Sequence, residues 1–236
     1  MSPFQFKQFT INQDRCAMKV GTDAVLLGAW TPINHNPFSI LDIGSGTGIL
    51  SLMLAQRSQA EIIDAVEIDE NAYEQCVENF EQSPWNDRLF CYHASLEEFT
   101  EEIEDNYDLI ISNPPFYSSQ YKTENLQRDL ARFSDALPFD QLLESVSKLL
   151  SEDGIFSVII PFKEEDAFID LAGKFNLFPK TILHIKGTPS SEIKRSLIAF
   201  SFVENSTKIE ELFIEYERHN YSEAYINLTK DFYLKM

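Results

Sequence analysis

The sequence predicts an α/β protein: a doubly wound, mostly parallel sheet of seven strands, with helices on both faces and an antiparallel hairpin on one edge. Two observations carry this. From residue 39 to 175, short apolar runs alternate with stretches of helical periodicity, the pattern of βαβ units stacked into one sheet. The last two β-branched and aromatic runs have no helical pattern between them, so they can pair antiparallel.

The elements follow in order. Ser39–Ile43 reads as a buried strand, and Gly48–Gln56 as a helix with Ile49, Leu50, Leu52, Met53 and Leu54 at helical spacing. Ile62–Glu67 is the second strand. Glu70–Phe80 is the second helix, with Ala72, Tyr73, Cys76, Val77 and Phe80 on its apolar face. Leu89–Ala94 is the third strand. Tyr107–Ser112 is the fourth, stopped by Asn113-Pro114-Pro115, since proline fixes φ and lacks a ladder donor. Phe139–Leu150 is a helix, Ile155–Ile160 a strand stopped by Pro161, and Glu164–Phe175 a helix. Thr181–Lys186 and Ser196–Val203 form the hairpin around Gly187-Thr188-Pro189-Ser190-Ser191. Residues 1–30 read as an N-terminal cap segment on a single globular domain spanning 31–236. The aromatic C-terminus (Tyr216, Tyr221, Tyr225, Phe232, Tyr233) reads as helix packing.

The chain has 236 residues, of which 44 % are hydrophobic, enough for a real core. No apolar run approaches the ~20 residues that span a bilayer, and Met1–Lys7 has no signal-peptide pattern. Cys16, Cys76 and Cys91 make no disulfide framework. A cytoplasmic protein is expected. Cys91-x-His93 supplies too few ligands for a metal site, and none is expected.

Net charge is −19, which taken whole disfavours a nucleic-acid partner. Its distribution changes that. Residues 61–108 hold 16 Asp and Glu against Arg88 alone, leaving −4 over the other 188 residues. Residues 1–21, 113–135 and 180–196 are neutral to basic. An acidic back and a mildly basic front are expected, with Lys7, Arg15, Lys19, Lys122, Arg128, Arg132, Lys194 and Arg195 as the cations available to RNA.

Three features carry chemistry. Asp42-Ile43-Gly44-Ser45-Gly46-Thr47-Gly48 lies between a strand and a helix, where glycines permit a sharp turn and close approach of a ligand to the backbone. A dinucleotide site would need a small residue at 49, and that position is Ile49. The G-x-G-x-G spacing after an acid suits S-adenosylmethionine. Glu67, at the end of the second strand, offers two acceptor oxygens to a ribose. Asn113-Pro114-Pro115-Phe116 follows the fourth strand. Its stiff turn leaves the Asn113 amide oxygen and the carbonyls of Asn113 and Pro114 as acceptors for an –NH₂ group. Gripping that group's hydrogens favours a pyramidal nitrogen with its lone pair free. Phe116 offers a face for a base to stack on.

Together, Asp-x-Gly-x-Gly-x-Gly and Asn-Pro-Pro-Phe resemble the class I S-adenosylmethionine-dependent amino-methyltransferases, whose fold is Rossmann-like. The blocks Phe4–Phe9 and Gln13–Trp30, with the ending Tyr221–Leu234, are similar to the tRNA1(Val) adenine-37 N6-methyltransferases. The resemblance runs over essentially the whole chain and implies methyl transfer to the N6 amine of adenine 37, by a monomer acting on tRNA. It further implies that Asp42, Gly44, Ser45, Gly46, Gly48, Glu67 and Ile68 line S-adenosylmethionine. Thr22 and Asp23 would lie over its methionine end, and Asn113–Phe116 would hold the target base. Related enzymes carry Asp where this chain has Ser95, so Ser95 would meet the cofactor's adenine without charge. Two other substrates fit the same grip, a protein glutamine amide and an rRNA guanine N2. A non-enzymatic S-adenosylmethionine-binding RNA chaperone is the remaining alternative.

Overall fold

The computed structural model describes residues 2–115 and 137–235. Its centre is an eight-stranded sheet. Five strands run parallel: β3 (Ser39–Ile43), β4 (Ile62–Glu67), β5 (Leu89–His93), β6 (Tyr107–Ser112) and β7 (Leu150–Pro161). Pairing places them in the order β5, β4, β3, β6, β7. Beyond β7 comes β9 (Ile193–Ser201), antiparallel to it, then β8 (Phe178–Lys186), antiparallel to β9, and last β10 (Lys208–Phe213), parallel to β8.

Two expectations are corrected here. The sheet has eight strands, not seven, because Lys208–Phe213 adds one. The hairpin is therefore inside the sheet, with β10 as the edge. β10 escapes the periodicity because an edge strand in solvent needs no apolar face; of its six residues only Leu212 is buried.

Two apolar layers sandwich the sheet. On one face lie α1 (Thr22–Trp30), α2 (Ile49–Arg57), α3 (Glu70–Glu81) and α7 (Glu223–Thr229). On the other lie α4 (Leu96–Glu102), α5 (Phe139–Leu149) and α6 (Glu165–Gly173). Sequence alternation on the strands sorts the layers: Ile40, Ile63 and Leu109 face α2, whereas Leu41, Ile110 and Phe156 face α5.

The two chain ends close on each other. The short hairpin of β1 (Phe4–Gln5) and β2 (Thr10–Ile11) leads into a bridge between Phe6 and Tyr233, and the Lys7 amide donates to the Phe232 carbonyl at 2.8 Å. Phe6, Phe9, Tyr225 and Phe232 are buried in the same layer as α2. The aromatic C-terminus thus serves helix packing at Tyr225 and Phe232.

Strand order reverses at β3. The chain builds outward through β4 and β5, then returns to lay β6 on the other side of β3. Ligands of open α/β sheets bind in the crevice at such a switch point, beyond the carboxyl ends of the strands. Here that crevice lies between the loop after β3, residues 44–48, and the turn after β6, residues 113–115.

Candidate active site

The glycine loop is built so that its three glycines do different jobs. Gly44, Gly46 and Gly48 all have left-handed backbone, with φ of 70°, 55° and 76°. A Cβ at Gly44 or Gly46 would meet nothing within 4 Å, so the loop presents bare backbone to open space. A Cβ at Gly48 would come within 2.5 Å of Phe80 Cε1 and 2.8 Å of Cys76 Sγ, so Gly48 seats the loop on α3. The Ser45 hydroxyl turns inward, toward the sulfurs of Cys76 (3.6 Å) and Cys91 (3.9 Å).

Two carboxylates brace the loop. Asp42 is fully buried; its Oδ2 accepts from the Ser51 amide (3.1 Å) and hydroxyl (2.7 Å), while its Oδ1 has no hydrogen-bond partner among the described residues. Burial pushes the Asp42 carboxyl up to about 7, against the Ser51 bonds, which pull it down. Glu67, at the tip of β4, accepts from the Gly46 amide on Oε2 (2.8 Å) and from the Asp69 amide on Oε1 (2.9 Å). Each oxygen keeps a second lone pair for a ligand hydroxyl. Ile68 follows, 59 % exposed.

Across the crevice, the Ser112 hydroxyl donates to the Ile43 carbonyl at 2.9 Å, clamping the ends of β6 and β3 together. Asn113 stands immediately beyond. Its Oδ1 is buried and has no hydrogen-bond partner among the described residues. Pro114 is buried and Pro115 half-buried. Phe116 lies outside the described residues. A buried acceptor left unpaired is uncommon in a folded chain; at the end of β6 beside the glycine loop, it suits a donor brought by a ligand.

The remaining sequence-derived residues fall into place unequally. Thr22 and Asp23 open α1, and Asp23 Oδ2 accepts from Arg195 Nε at 2.8 Å, tying α1 to the start of β9. Arg195, expected as a cation available to RNA, is thus also engaged by a carboxylate. Ser95 is the N-cap of α4: its hydroxyl accepts from the Glu98 amide and donates to Glu98 Oε2 at 2.8 Å, so it is committed to a capping box.

The N-terminal cations also separate. Arg15 pairs with Glu74 (3.1 Å) and Glu78 (3.7 Å) of α3. This corrects the opposed acidic back and basic front at that residue, because residues 12–15 are strung along the acidic helix by buried amides. Asn79 bonds both the amide and the carbonyl of Asn12, and Gln75 accepts from the Arg15 amide. Lys7 lines a cavity of about 460 Å³ with Gln56 and Arg57, at the far end of α2 from the glycine loop. Lys19 donates to the Gln13 carbonyl at 2.6 Å, and Lys194 is exposed. Lys122, Arg128 and Arg132 lie outside the described residues. Cys16 is buried, and burial with the Glu67 and Asp69 carboxylates nearby pushes its thiol up to about 12, an inert thiol.

Three supporting residues have no motif. Ser51 anchors Asp42, and Ser112 clamps the strand ends. Asn79 donates to the Thr47 carbonyl as well as to Asn12, joining the N-terminal segment to the glycine loop. Only Asn79 leaves a trace in the sequence, as a polar residue on the apolar stripe of α3 between Cys76 and Phe80.

Comparison with known proteins gives a consistent set of relatives. The sequence profile of the Methyltransferase small domain family matches residues 21–138. A tRNA1(Val) (adenine(37)-N6)-methyltransferase of Flavobacterium johnsoniae is 67 % identical over 99 % of this chain and 100 % of its own. Proteins of the same name from Bacteroides fragilis and Pseudoalteromonas translucida are 47 % and 43 % identical, over 99 % and 100 % of this chain and 98 % and 100 % of their own. Among solved structures, an Agrobacterium tumefaciens protein described as a predicted O-methyltransferase superposes with a TM-score of 0.67 at 17 % identity, covering 89 % of this chain and 96 % of that one. The M. jannaschii protein TYW2, solved in complex with AdoMet, gives 0.57 at 14 % identity, with 84 % of each chain covered. These two likenesses are of fold.

Proposed function

The chain belongs to the tRNA1(Val) (adenine(37)-N6)-methyltransferase family, and from that membership we propose that it methylates the N6 amine of adenine 37 in tRNA1(Val), using S-adenosylmethionine. One structural observation supports the chemistry above all: Asn113 Oδ1, buried and unpaired, stands at the switch point beside the bare backbone of Gly44 and Gly46.

The residues present fit the cofactor. The open sides of Gly44 and Gly46 leave room for a ligand against the main chain. Glu67 has lone pairs for the ribose hydroxyls, exposed Ile68 gives an apolar face, and Asp42 Oδ1 is an unused buried acceptor. Thr22 and Asp23 bound the methionine end. Ser95 is the weakest member of this set, because α4 already uses its hydroxyl. Bound there, S-adenosylmethionine supplies a methyl group made electrophilic by its sulfonium.

The protein's part is positioning. Asn113 Oδ1 and the Pro114 carbonyl would accept the two amine hydrogens, which draws N6 out of conjugation with the ring and frees its lone pair for the methyl group. Pro114 and Pro115 stiffen the turn, so the acceptors need no reorganisation as charge develops. The methyl group that N6 takes would leave the sulfonium, whose sulfur would keep the bonding pair and depart as a neutral thioether, while N6 releases one proton to solvent. The adenine must leave its stack to reach this turn, and Phe116 is assigned as its stacking partner. The tRNA reading fits a reaction in the cytoplasm, and the enzyme is proposed to act as a monomer.

The deciding experiment incubates the protein and labelled S-adenosylmethionine with a tRNA1(Val) transcript, followed by nucleoside mass spectrometry. N6-methyladenosine at position 37, absent when that base is guanine, is expected. Label appearing in protein glutamine or in guanine N2 instead would overturn the substrate.

A further inference from the structure

β7 outruns its neighbour at the catalytic end of the sheet. Ser112, the last residue of β6, pairs with Val158, and β7 continues to Pro161. At about 3.3 Å per residue, Phe162 stands roughly 10 Å beyond the level of Asn113 and one strand over. It opens a 3₁₀ turn, Phe162–Glu164, leading into α6, and its side chain is 37 % exposed.

The support under that ring is unusual for a surface aromatic. His184 of β8 makes a T-shaped contact with the ring, with centroids 5.0 Å apart and planes at 81°. His184 Nε2 is held in turn by Glu165 Oε2 at 2.8 Å, and the two side chains are 14 % and 11 % exposed. Burying a His–Glu pair carries a desolvation penalty that an apolar pair would avoid. What it provides here is a fixed support for the partly exposed Phe162. In the pairing of β7 with β9, Pro161 faces Arg195, so the exposed Lys194 comes level with Phe162 and sets a cation beside the ring. A nucleotide there has the ring for its base and the Lys194 ammonium for its phosphate.

We propose that Phe162 is a stacking platform for an unpaired nucleobase flanking the target adenine, with His184 and Glu165 as its positioning residues. The proposal rests on the tRNA reading above. Drawing one base into the Asn113 turn leaves its neighbours without a stacking partner, and proteins that read single-stranded RNA stack such bases on aromatic side chains. The offset of roughly 10 Å from Asn113 assigns the platform to a flanking nucleotide rather than to the base that reacts.

Phe162→Leu keeps an apolar side chain and removes the π face; Phe162→Trp enlarges that face. Binding of a tRNA1(Val) transcript is followed by titration for both, with S-adenosylmethionine affinity and melting temperature measured alongside. The Leu variant is expected to lose roughly ten- to hundredfold in tRNA affinity, seen in KM for tRNA more than in kcat, with cofactor affinity as in the wild type. The Trp variant is expected to bind tRNA at least as well as wild type, with its added fluorescence quenched by the bound base. Wild-type tRNA affinity in the Leu variant, no quenching in the Trp variant, or a kcat loss without a KM change overturns the platform alone. A wild-type protein that binds S-adenosylmethionine but neither binds nor methylates the transcript overturns the tRNA reading with it.

Discussion

Asn113 and Asp42 each keep one oxygen buried and unpaired among the described residues, and the two make separable predictions. If Asn113 grips the amine only, Asn113→Ala should lower kcat by on the order of a hundredfold and leave the S-adenosylmethionine Kd within about twofold of wild type, the mark of a contact made in the transition state. Loss of cofactor binding with turnover intact would remove that role. Asp42 predicts a pH effect. Its folded value, about 7, lies above the ordinary carboxylate value, so the native state holds an extra proton between about pH 4 and pH 7. Its contribution is therefore full below about pH 4 and falls as pH rises to about 7, by on the order of 3–4 kcal/mol at most. Denaturant unfolding at several pH values, compared with Asp42→Asn, should show that declining component in the wild type only. Parallel pH profiles for the two proteins would show that the carboxyl ionises normally.

At the scale of elements, the strand–loop–helix unit around β3 separates packing from ligand access. Gly46→Ala places a methyl in open space at φ 55° and Gly48→Ala places one against Phe80 and Cys76 at φ 76°. Both carry left-handed strain of about 1–2 kcal/mol, and only the second adds overpacking of about 1–3 kcal/mol. Gly48→Ala should thus lower the unfolding free energy more, while Gly46→Ala should weaken S-adenosylmethionine more than its stability loss explains. Calorimetry and denaturation of both variants check the order, and a reversed order would refute this division of labour. This unit was legible in the sequence because its strand is buried on both faces and reads as one apolar run. β10 was not, because five of its six residues sit in solvent or half-buried and only pairing with β8 defines it. α4 was missed for another reason. Ser95-x-x-Glu98 carries the signature of a capping box, but seven residues with two buried apolar positions, Leu96 and Phe99, fall below what periodicity detects. Ser95 was thus read as a ligand contact before it could be read as a cap.

For the whole molecule, the glycine loop and the proline turn were legible in the sequence, because glycines and prolines act through the backbone at their own positions. The sequence could not place the cations, because long side chains find partners through the fold. Of the five proposed RNA contacts among the described residues, Arg15 and Arg195 sit in ion pairs, and Lys7 lies at the far end of α2. Lys19 and Lys194 remain near the catalytic end, in a chain of net charge −19. Binding therefore has few phosphate contacts to draw on, whatever residues 116–136 contribute through Lys122, Arg128 and Arg132. Each contact adds about 0.7–0.9 to the slope of log K against log salt, so a slope of roughly −2 to −4 is expected for tRNA1(Val). Lys194→Glu should weaken tRNA several-fold at low salt and flatten the slope by about one, with S-adenosylmethionine affinity unchanged, because Lys194 stands on β9 away from the glycine loop. Arg15→Glu should leave the slope as it is, since that guanidinium already faces Glu74 and Glu78. A wild-type slope steeper than about −6, or an Arg15 variant as defective as the Lys194 one, would mean that tRNA crosses the acidic α3 face. The discrimination between tRNA species would then rest on charge rather than on stacked and flipped bases.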